Sequence, residues 1–468
     1  MAEPFDSSVT QQTVANILQE QYFPNFLKVP FIEGQVVNGL IELADIACVG
    51  DGMNFQTKRY IGDNMRVSTD PMAEFAVGKP FRPEKMKLRW NERDSSKNDF
   101  TLIQGTGRVS VYQFDEADSD GAITDIVDEV YNDMKTDFDW TLAILRRTAR
   151  SGLCGVVNGT PKLNDSKDYS SAAAHGAGAS MRVQLKNCSL ACFRPGKTYD
   201  IYSAAGALQY AGARCTDINV ADDSNSSVGS AGFEQLDSAT STADFTAVAD
   251  GSYFYIAGCK GNGMYSIEEW YGRPTAGESW IGAVDRTTAS YRYLQPTVTR
   301  VGGTTGVRVT KAHLDQAADA ITFVSDKPKM GRVCAMNPRM MTQLRAQYDE
   351  AAWITWPTDD SRRERFQNLG SVGLNYQHPG LGNITFIGDP LVIPDHLDLM
   401  VLGDWKTAYR GTKGLRFITK GQAGLWYRIQ GSVPGGGLSK SYGIDCYTNV
   451  ADFCTAPESQ LRIGGLGL

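Results

Sequence analysis

Histidine and cysteine are where chemistry would be sought first in this 468-residue chain, and their spacing offers little of it. His175, His313, His378 and His396 fall in no H-E-x-x-H or other metal-ligand spacing. His396 lies between Asp395 and Asp398, a donor set that a divalent cation would accept, but a solvated loop after Pro394 is the simpler reading. Cys188 and Cys192 stand four apart, yet no second cysteine pair accompanies them and no histidine pair completes four ligands. They read as two small, buried or half-buried thiols. No G-x-x-x-x-G-K-S/T loop is present, Gly50-Asp-Gly52 and Gly261-Asn-Gly263 lack the third glycine of a pyrophosphate cradle, and there is no G-x-S-x-G elbow. No catalytic residue, cofactor site or metal site is therefore expected.

The elements that would position any site are easier to read. Ser8-x-x-Gln11 looks like a capping box ahead of Val14, Ile17, Leu18 and Tyr22, which predicts a short helix ending at Pro24. Met86, Leu88 and Trp90 alternate with Lys85, Lys87 and Arg89, and Val109 and Val111 alternate with Ser110 and Tyr112. These predict the two strands of a long hairpin. From Asp120 to Arg150 apolar residues recur at Ile123, Val127, Val130, Met134, Phe138 and Leu145. Acidic residues crowd the start and Arg146, Arg147 and Arg150 close the end, which predicts one long helix aligned with its own dipole. Strand-like pieces at 197–202, 252–257 and 291–294 sit among Gly/Ala/Ser-rich stretches at 156–182 and 221–250. That region reads as a mostly β insertion, part of which is expected to project from the surface, with about 221–250 expendable. Helices follow from Thr310 to Ile321 and from Asn337-Pro338, then short strands to the C-terminus. The fold class is α+β.

Composition bounds the function classes. Hydrophobic residues at 42% and charged residues at 21% describe an ordinary globular chain long enough for about three domains. A net charge of −7 argues against a general nucleic-acid binder. The start lacks a basic stretch followed by an apolar run, and no 18 consecutive apolar residues occur, so the chain reads as a soluble product of a cytoplasm with no membrane partner. Nine scattered cysteines fit reduced thiols, and Asn158-Gly-Thr160 and Asn164-Asp-Ser166 read as polar loops.

The order of these parts resembles the major capsid proteins of tailed bacteriophages, the Hong Kong 97 type. Local stretches resemble them too. Ser279-Trp-Ile-Gly-Ala-Val-Asp-Arg-Thr-Thr is similar to a "G-(I/V)-D-R-(S/T)-T" stretch, and Val333-Cys-Ala-Met-Asn-Pro338 to the "v-M-N-P" strand-to-helix step. Gly388-Asp-Pro-Leu-Val-Ile-Pro-Asp395 and Leu402-Gly-Asp-Trp-Lys-Thr-Ala-Tyr409 are similar to A-domain stretches of that family. The resemblance implies an N-terminal arm at 1–54, an E-loop hairpin at 55–114 and the spine helix of a P-domain at 115–155. A mostly β insertion at 156–305, an A-domain at 306–420, and return strands of the P-domain with the C-terminus at 421–468 would follow.

A shell-building subunit is the function so implied: it would assemble with itself into hexamers and pentamers around packaged double-stranded DNA, as a virion capsid made in the bacterial host cytoplasm. The resemblance implies a separate scaffolding protein as partner, since only one short helix precedes the arm, together with a portal and, in some members, a decoration protein. In that family the E-loop lies across a neighbour's P-domain. Residues 79–97 carry seven basic and three acidic side chains, and residues 115–139 carry ten acidic and one basic. The expected inter-subunit contacts are therefore Lys85, Met86, Lys87, Leu88, Arg89, Trp90 and Arg93 against Asp115, Glu116, Asp118, Asp120, Asp125, Asp128 and Glu129. Part of the family also joins an E-loop lysine to an asparagine, for which Lys85, Lys87 and Asn449 are available here. A non-viral nanocompartment shell of the same fold is the alternative within this class. A β-rich hydrolase is the alternative outside it, and a tail component shares the β content but lacks the single long helix.

Overall fold

The computed structural model describes residues 46–48, 52–56, 85–89, 99–110, 120–148, 150–163, 169, 173–174, 180–220, 228–235, 245–272, 280–281, 284–286, 294–301, 306–322, 332–350, 375–378, 382–411, 416–417, 427–429, 432–433, 437–438 and 441–467. The N-terminal helix expected at 8–22 lies outside them. In chain order come β1 (Ile46–Cys48), β2 (Gly52–Gln56), β3 (Lys85–Arg89), β4 (Thr101–Ser110) and the 28-residue helix α1 (Asp120–Arg147). Then follow β5 (Leu153–Leu163), β6 (Ala173–Ala174), β7 (Ser180–Lys186), β8 (Thr198–Tyr202), β9 (Leu208–Asn219), β10 (Gly229–Gln235) and β11 (Tyr253–Ile256). The next set is α2 (Ile267–Tyr271), β12 (Trp280–Ile281), β13 (Val284–Asp285), β14 (Thr297–Arg300), α3 (Lys311–Thr322), β15 (Arg332–Met336) and α4 (Pro338–Glu350). The chain closes with β16 (Asn375–His378), β17 (Gly382–Gly388), β18 (His396–Met400), β19 (Trp405–Arg410), β20 (Arg416–Phe417), β21 (Tyr427–Ile429), β22 (Ser432–Val433), β23 (Gly437–Leu438), β24 (Ser441–Cys454) and β25 (Leu461–Gly464).

The 14-residue β24 organises the first sheet. Its first ten residues pair antiparallel with the whole of β4, its end pairs with β19, β20 and β21 pair with it between, and β1 adds parallel to β19. α1 lies on this sheet because Phe138, Leu142 and Leu145 share one face and bury against Cys446, Val450 and Tyr409. Gly107 sets the closeness of that contact. A Cβ there would meet Met134 Sδ at 2.5 Å and Val130 at 2.7 Å, so a side chain at this position would force those of α1 to shift.

The expected hairpin is corrected. β3 pairs with β2, and β4 pairs with β24, so the two alternating segments are not each other's partners. The reason is burial. Leu88 is fully buried beside Met53 and Phe55 in a core that also holds Trp405 and Phe453, and pairing with β2 brings it there.

The insertion closes on itself. Strands run β11-β8-β9-β10-β7-β5 and β11 pairs again with β5, giving a six-stranded antiparallel barrel with β6 appended. Phe193, Tyr199, Phe233 and Phe254 fill it edge-to-face and stacked, and Phe245 and Val248 plug one end. Of 221–250, the described β10 is internal to the barrel, since it lies between β7 and β9 and Phe233 is 1% exposed.

A six-stranded mixed sheet, β14-β25-β18-β15-β17-β16, forms the third unit, packed by Leu314, Ala317 and Ala318 of α3 and Met340 and Leu344 of α4. Asn337 caps α4 as expected, its Oδ1 accepting from Arg339 N at 3.1 Å. The class is α+β. The chain crosses between sheets more than linear division allowed: β19 leaves the 306–420 segment for the first sheet, while β25 returns from 421–468 to this one.

Candidate functional site

The densest polar arrangement is one the sequence reading did not assemble. α1 ends where its two last arginines enter the protein. Arg146 Nε donates to Asp452 Oδ2 at 2.9 Å and Nη2 to Thr407 Oγ1 at 2.9 Å, on β24 and β19. Arg147 Nη1 donates to Asp398 Oδ2 and Nη2 to Asp389 Oδ2, each at 2.9 Å. From β25, Arg462 completes the junction by donating to both oxygens of Asp398 and both oxygens of Glu268, at 2.6–3.0 Å. Five elements and one loop thus meet at α1's buried end. All these side chains are at most 11% exposed, so removing one partner would leave a buried charge at a cost of about 3–5 kcal/mol.

His396 belongs to the same junction. It sits on β18 and is 5% exposed, which corrects the solvated-loop reading. Its Nε2 is 3.4 Å from Glu268 Oε1 and its Nδ1 2.5 Å from Asp395 Oδ1. Burial and Arg462 push its pKa down, but Glu268 and Asp395 outweigh them and it stands at about 9. Burial likewise opposes the charge of Glu268, yet Arg462 and His396 hold its carboxyl well below the usual range. Glu268, His396 and Asp398 place ligand atoms within 4.8 Å of one another, a metal-like grouping. Two guanidinium groups already occupy the carboxylate oxygens, and a cation would have to displace Arg462. The arrangement is a structural clamp.

Asp285-Arg286, singled out in the sequence, supports it. Arg286 donates to the carbonyls of Trp270 at 2.8 Å and Glu269 at 3.0 Å, closing the C-terminal end of α2 and so steadying Glu268. Burial lowers its pKa to about 10. Cys188 and Cys192 are buried free thiols, and burial pushes Cys192 up to about 12. Among the described residues no helix is long and apolar enough to cross a membrane.

No family model and no curated protein matches the chain. Solved structures do. The capsid asymmetric unit of cyanophage A-1(L) aligns with a TM-score of 0.45 and 9% identity, covering 93% of this chain and 94% of that one. The capsid of a native GTA particle gives 0.42 and 7%, over 94% and 92%. A procapsid of satellite phage P4 that includes the size determination protein gives 0.38 and 10%, over 99% and 98%. All three are capsids or procapsids.

The residues expected at subunit contacts divide. Lys87 is exposed on β3, Leu88 is internal, and Arg89 is paired with Asp99 of the same chain at 3.1 Å. Lys85 and Met86 lie on β3 with their side chains outside the described set, and Trp90 and Arg93 lie outside it altogether. On α1, Glu129 is exposed and Asp128 half-buried; Asp120 and Asp125 are in the helix, their side chains not described, while Asp115, Glu116 and Asp118 fall outside. Asn449 is 7% exposed within β24. A signal for the missed clamp did exist: Asp398 and Arg462 interrupt the apolar strands HLDLM and LRIG with charge.

Proposed function

We propose that this chain is a major capsid protein, which assembles with itself into an icosahedral head shell around packaged phage double-stranded DNA. What carries the reading is one observation. A single 28-residue helix lies on a sheet built around β24, and its buried end is clamped to a separate mixed sheet, giving a rigid subunit whose chemistry is spent on holding its parts together. The capsid-like stretches lie at the joints of that frame: Asp285-Arg286 closes α2, Asn337 starts α4, and Asp389 receives Arg147. A shell subunit needs this rigidity because errors of angle accumulate around a closed surface. Localisation in the virion, with scaffolding, portal and decoration proteins as partners, goes with the proposal.

The basic 79–97 stretch and the acidic start of α1 are proposed to meet between chains, with Lys87 and Glu129 as their exposed described members. The test is negative-stain microscopy of the purified chain with sedimentation. Closed shells, sheets or capsomer rings are expected; a stable monomer at high concentration would overturn the proposal.

A further inference from the structure

Between β17 and β18 the consecutive residues Asp389 to Val392 reach into three parts of the molecule at once. Asp389 is buried and receives Arg147 of α1 through its Oδ2 at 2.9 Å, while its backbone N–H donates to Met336 O on β15 at 2.8 Å. Its Oδ1 accepts from Leu391 N at 3.0 Å, which fixes the turn that carries the leucine. Pro390 O accepts from Ser189 Oγ, in the barrel between β7 and β8. Leu391 is buried in the barrel's core, whose other buried members among the described residues all fall within 143–254. Val392 belongs instead to the core of Trp405, Phe453 and Leu88, and its carbonyl accepts from Asn337 Nδ2 at 2.9 Å.

The barrel is held a second time by α1 itself. Lys197 pairs with Asp137 at 2.8 Å and donates to Thr141 Oγ1 at 2.8 Å, the Arg194 guanidinium lies over the Trp140 ring at 5.2 Å, and Ala143 and Ile144 are buried in the barrel's core. These contacts close a circuit. It runs from Arg147 to Asp389, through Pro390 and Leu391 into the barrel, and back to α1 at Ile144, one turn before Arg147. Leu391 cannot leave without opening a cavity in the barrel, and Asp389 cannot leave without stranding a buried arginine. The two constraints act on one turn.

We infer that residues 389–392 are a strap that makes the barrel and the mixed sheet open as one unit, so that the insertion braces the angle between α1 and that sheet. Such coupling is reciprocal: loosening the barrel loosens the clamp, and loosening the clamp loosens the barrel. All these contacts lie within one subunit and hold whether or not the chain builds a shell.

Hydrogen exchange on the dissociated wild-type chain, followed through low denaturant concentrations, tests the strap without requiring any variant to fold. Amides of β9 and β10 in the barrel and of β15 and β18 in the sheet should converge on one opening free energy with one denaturant slope. Leu391→Ala leaves Asp389 and its partners in place and should separate the two sets. In that variant the β10 amides should exchange at least about tenfold faster than in wild type, the scale of a lost buried leucine, and those of β18 should change less. Ser189→Ala, which removes only the hydroxyl that meets Pro390 O, should shift them the same way by a smaller factor. A wild-type barrel that opens at lower denaturant than the sheet would overturn the strap. So would Leu391→Ala chain whose barrel and sheet amides still converge, because the coupling would then run elsewhere. Failure of the chain to assemble would count against the shell reading alone.

Discussion

Asp139 is the residue whose protonation this structure makes most consequential. It lies on the flank of α1, 5% exposed, with Oδ2 lacking any hydrogen-bond partner. Arg146, two turns further on, is committed to Asp452 and Thr407. Burial raises the Asp139 pKa to about 7 against the pull of Lys135 and Arg146. In the unfolded chain the carboxyl titrates near ~3.9, so between there and about 7 the folded state holds the extra proton. Stability from this group therefore declines as pH rises through that window and stays lower above it. Asp139→Asn should melt higher than wild type at pH 8 and show a flatter Tm profile between pH 5 and pH 8. Thermal unfolding at both pH values decides it, and an unchanged slope in the variant would refute the assignment.

At the scale of elements, the barrel is a unit that cannot lose a stave. β10 bridges β7 and β9, and its Ala231 and Phe233 are part of the aromatic filling. Deleting 221–250 should open the barrel and yield insoluble chain, and Phe233→Ala should cost about 3–5 kcal/mol in urea unfolding. A soluble deletion variant with native circular dichroism would show that the barrel tolerates an open side. The short β2–β3 hairpin behaves differently, because its inward side chains Met53, Phe55 and Leu88 belong to the core shared with Trp405 and Phe453. Its exposed Lys87 is spare.

For the whole molecule, assembly should therefore depend on charge more than the fold does. Lys87→Glu should slow association and change its salt dependence while leaving the monomer's melting temperature within a degree or so, since an exposed charge contributes ~0–1 kcal/mol. Light scattering at low and high salt measures this. Identical kinetics at both would remove the basic block from the interface. Arg89 is left out of that variant because Asp99 uses it to close the loop after β3.

Periodicity and end signals alone determined the long helix, the two later helices and the β character of the insertion. Each is decided by which residues within one segment must share a face: α1 and α3 start and stop within three residues of those expectations, and α4 starts at the expected Pro338. Tertiary structure decided the partners. Alternation marks Lys85–Arg89 and Thr101–Ser110 as strands but holds no information on which other strand offers a complementary face, so β3 found β2 and β4 found β24. Closure of the barrel, Val156 against Tyr253, and the clamp of Arg147, Asp398, Arg462 and Glu268 depend on residues far apart in the sequence. A buried charge is stable only beside its partner, and the chain's path in space, set by packing, chooses that partner.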